Sequence, residues 1–210
     1  MSLYDAIFNI PELAVLTETH CTRWAAAETN YGPGIAMYTP ETEKESLKLA
    51  AANSYWNRGT EHYIPFDRYW ADDIDFAGKT VGVVGAMKQI RARYSGIAKK
   101  IYVFDFMADA EKDILPAELE EEILPKCDVI SITGSSIQNG TLPHLLEICQ
   151  GKYVCLAGPS VPQCEALFDF GISKISGMTI GDAEKMREFI RSDTPGTPYV
   201  FGTPFMMRKK

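Results

Sequence analysis

Small and hydroxyl-bearing residues recur at the ends of apolar runs in the C-terminal part of this chain. "VGVVGA" carries Gly82 and Gly85, and "YVFD" ends in Asp105. "SITGSS" ends in Thr133, Gly134, Ser135 and Ser136, "CLAGPS" in Gly158, Pro159 and Ser160, and "KISG" in Ser176 and Gly177. Glycine lets a backbone approach a ligand or take a positive φ, while exposed N–H groups and Ser/Thr hydroxyls donate to an anion or a polar ring. The chemistry is recognition of a small polar or anionic molecule, nucleotide-like or pterin-like. One such loop is ordinary turn-making, whereas several on one edge make a pocket.

The sequence excludes several alternatives. Gly82 and Gly85 give only G-x-x-G, short of a G-x-G-x-x-G dinucleotide fingerprint, and no G-x-x-x-x-G-K-[ST] run exists for a Walker-type triphosphate site. Asp105 falls where a ribose-binding acid would stand and equally where a strand-end turn residue would, and the sequence leaves both readings open. No G-x-S-x-G elbow occurs, and His20, His62 and His144 are scattered, so a nucleophilic triad lacks support. Asp105 and Asp182 are the candidate carboxylates, no catalytic residue is assigned, and no cofactor is named. His20 beside Cys21 offers at most two metal ligands with no second pair, so no metal ligands are predicted.

The elements that must position these loops are legible from Lys79 onward. The runs TVGVVG, KIYVFD, DVISITG, KYVCLAG and ISKISG alternate with the amphipathic stretches PAELEEEIL, LPHLLEIC, VPQCEALFDFG and DAEKMREFIRS. Short, nearly continuous apolar strands separated by helices predict a doubly wound, mostly parallel α/β sheet, with ligands beyond the carboxyl ends of its strands. Asn139-Gly140 predicts a tight turn, with Thr141 capping the next helix. Upstream, residues 41–58 predict a helix ending near Arg58–Gly59, Gly34 to Tyr38 a short strand, and "FDRYWADDIDFAGK" a linker. The chain therefore divides into a small N-terminal α+β domain, residues 1–76, and a Rossmann-like domain, residues 77–210. Aromatic residues are dense in the first, where Tyr31 or Trp56 are candidates to close over a bound ring.

A formal charge of -7 opposes an electrostatic grip on nucleic acid, and Lys88, Arg91, Arg93, Lys99 and Lys100 read as the solvated face of a helix. Five cysteines without a CxxC pair fit a reducing cytoplasm, and the N-terminus has neither signal-peptide nor membrane-span character. The expected partner is a small-molecule ligand, with neither nucleic acid nor membrane. A homodimer formed through an aromatic patch at Trp56 and Trp70 is the non-catalytic alternative.

"ITGSSIQNGTLPHLLEI", followed by "VCLAGPSVP" and "GISKISGMTIGD", resembles the DUF364 family, which carries a heavy-metal chelation label. "LKLAAANSYWNR" looks like the helix of that family's N-terminal domain, which is similar to the enolase N-terminal fold. The resemblance implies a Rossmann-like domain, a small α/β domain packed over its ligand edge, and a cleft between them. It carries Thr133, Gly134, Ser135, Asn139, Gly140, Thr141, Gly158, Pro159, Ser160, Gly177 and Asp182 into the site. After Gly85 this chain reads Ala-Met-Lys, where the family leads one to expect an aromatic or His-containing loop. The resemblance also supplies the alternative function, heavy-metal binding.

Overall fold

The structure is a computed structural model that describes residues 1–64, 75–106, 113–193 and 195–209. Among these residues the chain forms two sheets. An antiparallel meander joins β1 (Val15–His20), β2 (Trp24–Thr29) and β3 (Gly32–Met37), flanked by α1 (Leu3–Phe8) and α2 (Glu43–Trp56). The second sheet contains β4 (Thr80–Val84), β5 (Lys100–Phe104), β6 (Val129–Thr133), β7 (Tyr153–Ala157), β8 (Lys174–Ile180) and β9 (Gly202–Arg208), in the order β5-β4-β6-β7-β8-β9. The pairs from β5 through β8 are parallel and β9 is antiparallel to β8. This is the mostly parallel α/β architecture that the alternating runs predict.

Helices α3 (Lys88–Tyr94), α4 (Glu120–Ile123), α5 (Leu142–Ile148) and α6 (Ala183–Ser192) follow strands of this sheet. Two predicted helices are short for local reasons. Pro116 and Pro125 bracket α4, which is continued at both ends by 3-10 turns, and the segment after Pro162 forms only the 3-10 helix Glu165–Phe170. Most of the predicted linker, with Tyr69 and Trp70, lies outside the described residues.

Three strands escape sequence reading. The run β2, WAAAET, is rich in a helix-forming residue, yet Ala25, Ala26 and Ala27 are all buried because both faces of the strand are covered. On one side Ala25 and Ala27 share a cluster with Leu49, Ala50 and Ala51 of α2, which comes so close that a Cβ on Gly34 of β3, the partner of Ala27, would lie 2.0 Å from the Ala50 carbonyl oxygen. On the other, Trp24, Ala26 and Ile35 pack with Met178, Met186 and Phe189 of β8 and α6. Strand β1 is an edge whose six residues are all exposed, so it carries no burial pattern. Strand β9 contains Pro204, which weakens its reading as a strand, and it is extended by pairing of Tyr63 with Phe205.

The two sheets share one core. Ile7, Ala36 and Leu49 from the N-terminal part join Ile132, Leu156 and Phe205 in a single apolar cluster. Arg187 on α6 grips both carboxylate oxygens of Glu28 on β2, at 2.6 and 2.9 Å, and the hydrogen bond to this guanidinium holds the Glu28 carboxyl below its ordinary range.

Candidate functional site

Strand β4 has β5 on one side and β6 on the other, so the chain runs outward from β4 to β5, then crosses back to β6, and the sheet's switch point lies between the ends of β4 and β6. Open α/β sheets hold ligands at such a crevice. Just past β4, Gly85 adopts φ +92°, and a Cβ there would lie 2.8 Å from Thr133 Cγ2. Glycine is thus required both by backbone conformation and by the closeness of β6. The next amide, Ala86 N–H, donates to Asp105 Oδ2 at 2.7 Å, so the acid ending β5 fixes the loop after β4. Across the switch, the half-buried hydroxyls of Thr133 and Ser135 lie 3.0 Å apart. Phe106, not singled out in the sequence, stands beside Asp105 and is 75% exposed.

Among the described residues, these form the open half of the rim. The other half is covered by the N-terminal part. Ser160 is 3% exposed, its Oγ accepts from Met37 N–H at 2.8 Å, and its carbonyl accepts from Asn53 Nδ2 at 3.0 Å. Asn53 also donates to the Ile35 carbonyl at 2.9 Å, and Gln138 Nε2 donates to the Met37 carbonyl and to Ser46 Oγ. Ser136 is buried against the Thr133 carbonyl, to which its hydroxyl donates at 2.7 Å. Gly134 is buried where a Cβ would lie 2.8 Å from Val161 Cγ2. Gly158 and Pro159 sit half-buried between the two halves, with Gly158 N–H donating to Ser176 O at 3.0 Å.

Other predicted site residues have separate duties. Gly82 lies mid-strand, where a Cβ would meet Leu124 Cδ2 at 2.6 Å, so it is a packing glycine away from the rim. Gly177 does not end its strand, because β8 continues to Ile180; it faces the Phe205 ring, with 2.6 Å from an added Cβ to Cζ. Asn139 Oδ1 accepts from Thr141 N–H and its hydroxyl at 3.1 and 2.8 Å, with Gly140 at φ +81°. Thr141 therefore serves the turn, and its side chain makes no capping bond to α5. Asp182 caps α6 by accepting from Lys185 N–H at 3.0 Å, a bond that lowers its pKa. Of the candidate lids, Trp56 donates from Nε1 to Ile7 O at 2.8 Å and Tyr31 from its hydroxyl to Pro11 O at 2.7 Å, so both are structurally engaged.

Burial pushes the Glu120 carboxyl up to about 7, with His144 opposing and the charges of Glu118 and Asp105 adding to the rise. Glu120 thus lies within the electrostatic reach of Asp105.

The family model for DUF364, described as "Putative heavy-metal chelation", matches residues 72–201. The chain belongs to the DUF364 family. Two solved structures of DUF364 proteins with unknown function share the fold. One from Desulfitobacterium hafniense has a TM-score of 0.85 at 24% identity, covering 99% of this chain and 97% of that one. One from Pyrococcus horikoshii has a TM-score of 0.78 at 20% identity, covering 98% and 97%. An uncharacterized protein of Methanocaldococcus jannaschii is 29% identical over 121 residues, 56% of this chain and 44% of the relative, so the match spans under half of that protein.

The DUF364 description raises metal binding, and the donors among the described residues do not form a site for it. All five cysteines are buried, and burial pushes the Cys127 thiol up to about 11 and that of Cys149 to about 12, so both hold their protons at neutral pH. Cys21 and Cys164 are raised by the same cause. Among the described residues no three His, Cys, Asp or Glu side chains gather in a ligating group. Nor, among them, is any helix long and apolar enough to cross a membrane.

Proposed function

We propose that the open half of the rim binds a small polar molecule with a flat ring, nucleoside-like or pterin-like, through Gly85, Ala86, Asp105, Thr133 and Ser135. One observation carries this reading: at the sheet's switch point a positive-φ glycine, an acid-anchored backbone turn and two half-buried hydroxyls stand together. Asp105 refines it. Its carboxylate opposes a polyphosphate and favours a ligand whose hydroxyl or amino groups donate hydrogen bonds. Phe106 supplies an aromatic face beside it.

Thermal shift against nucleosides, nucleotides, pterins and S-adenosyl compounds tests the reading. A ligand at about a hundredfold its Kd stabilises the fold by roughly 2.7 kcal/mol, which for a chain of this size raises Tm by about 5–10 °C. Neutral or amino-bearing rings are expected to act more strongly than triphosphates. A flat response to every compound counts against a ligand site here. The metal-handling alternative is supported by the family description alone, and melting unchanged by Zn, Ni or Co removes it.

A further inference from the structure

Most outer strands of the two sheets carry a cover. Tyr63 extends β9 through its pairing with Phe205, Leu115 pairs with the end of β5 at Phe104, and β3 gives its Met37 N–H to Ser160 Oγ and its Ile35 carbonyl to Asn53 Nδ2. Strand β1 has no such cover among the described residues: it pairs with β2 alone, and all its side chains are exposed. Cys21 N–H donates to the Trp24 carbonyl, which turns the backbone groups of Thr17, Thr19 and Cys21 towards β2. Those of Glu18 and His20 therefore point away from the sheet. An open row of this kind is a template for another strand, and Thr17–His20 holds neither the lysine nor the proline that blocks such edges elsewhere. Just upstream, Val15 and Leu16 are 46% and 68% exposed, and the register shift between Val15 and Thr17 ends the straight part of the edge.

We propose that β1 pairs antiparallel with β1 of a second copy of this chain, about a twofold axis through Thr19, joining the two three-stranded sheets into one. The run Glu18-Thr19-His20 decides the occupant, because read against itself in the antiparallel sense it is self-complementary. Thr19 meets Thr19, and Glu18 of each copy meets His20 of the other. Pairs of Thr with Thr, and of a carboxylate with a group that donates to it or carries the opposite charge, favour cross-strand association. The backbone agrees with this register, since the outward N–H and C=O groups of Glu18 and His20 are the ones exchanged across the axis. The His20 ring is already held, stacked on Tyr38 with centroids 4.1 Å apart and planes 7° from parallel, and Glu18 has no ion pair among the described residues. Isologous pairing closes on itself, so the assembly stops at two copies. The ladder is short, and interfaces under about 1,200 Å² are weak, so the dimer forms at micromolar to millimolar concentration.

Sedimentation velocity on the full chain, from about 1 µM to about 1 mM, reads the association. Wild type is expected to pass from one copy towards two across that range. Glu18→Lys, which sets a cation opposite the imidazole, and His20→Glu, which sets carboxylates opposite each other, are each expected to weaken association at least about tenfold, since the twofold repeats every pair. The double variant restores opposite charges and is expected to recover wild-type association within about threefold. Both side chains are exposed, so dilute samples of all four proteins are expected to melt alike. Amide exchange followed by NMR on the wild-type chain needs no substitution: the Glu18 and His20 amides are expected to slow as concentration rises, while that of Cys21, already bonded to Trp24, does not. A chain that stays single at every concentration overturns the proposal. So does a dimer that both single variants leave intact, which assigns association to another face, and so does a double variant as weak as the singles.

Discussion

The two halves of the sheet's ligand edge use the same residue types for opposite purposes. Beyond β7 and β8, Ser160 is buried against β3 and α2, and its hydroxyl and carbonyl are consumed by Met37 and Asn53. Beyond β4 and β6, Gly85, Thr133 and Ser135 stay partly open, and their hydrogen bonds are local. Hydroxyls and glycines at strand ends therefore mark a place where backbones and polar groups come close, and the neighbouring layer decides whether that place is a seam or a site.

Breaking the seam should have the largest effect. Asn53→Leu leaves the carbonyls of Ile35 and Ser160 buried without a donor and is expected to cost about 3 kcal/mol, seen as a fall in Tm of roughly 6–12 °C. Gly134→Ala presses a methyl onto Val161, whose backbone nitrogen an added Cβ would meet at 3.0 Å; overpacking of that kind costs about 2 kcal/mol by chemical denaturation. On the open half the contrast should reverse. Thr133→Val is expected to change stability by less than about 1 kcal/mol yet weaken the ligand found by thermal shift at least tenfold, about 1.4 kcal/mol. A Thr133→Val protein that unfolds like Asn53→Leu would erase the distinction.

The smallest effect is electrostatic. The Glu120 carboxyl has its pKa raised to about 7 in the folded chain from an ordinary 4.5, so folding favours its protonated form. That stabilisation is complete below the unfolded value and is lost as pH rises towards 7. Because the side chain is partly exposed, the loss is roughly 1 kcal/mol after screening. Glu120→Gln should flatten this dependence, and comparing melting at pH 5 and pH 8 for the two proteins reads it directly.

The parallel strands were legible because Val81–Val84, Val129–Ile132 and Val154–Ala157 are buried on both faces and therefore read as nearly continuous apolar runs. Strand β2 was not, since its alanines answer to the closeness of α2 rather than to local preference. At the rim, Gly85 and Asp105 were legible as strand-end residues from type and spacing, while the bond that ties the loop after β4 to Asp105 was not. Gly82 and Gly177 look the same in sequence but serve packing, and only the positions of Leu124 and Phe205 reveal it. The covering of Ser160 depends on Asn53, more than a hundred residues away in the chain. Phe106 offered no signal beyond its place after Asp105.

Backbone amide NMR during titration with the strongest binder from the thermal-shift panel tests the central claim most directly. Perturbation is predicted at Gly85, Ala86, Asp105 and Ser135, while Met37 and Asn53 stay in place. A saturable titration that leaves residues 85–86, 105 and 133–135 unmoved would contradict the assignment of the open half as a ligand site.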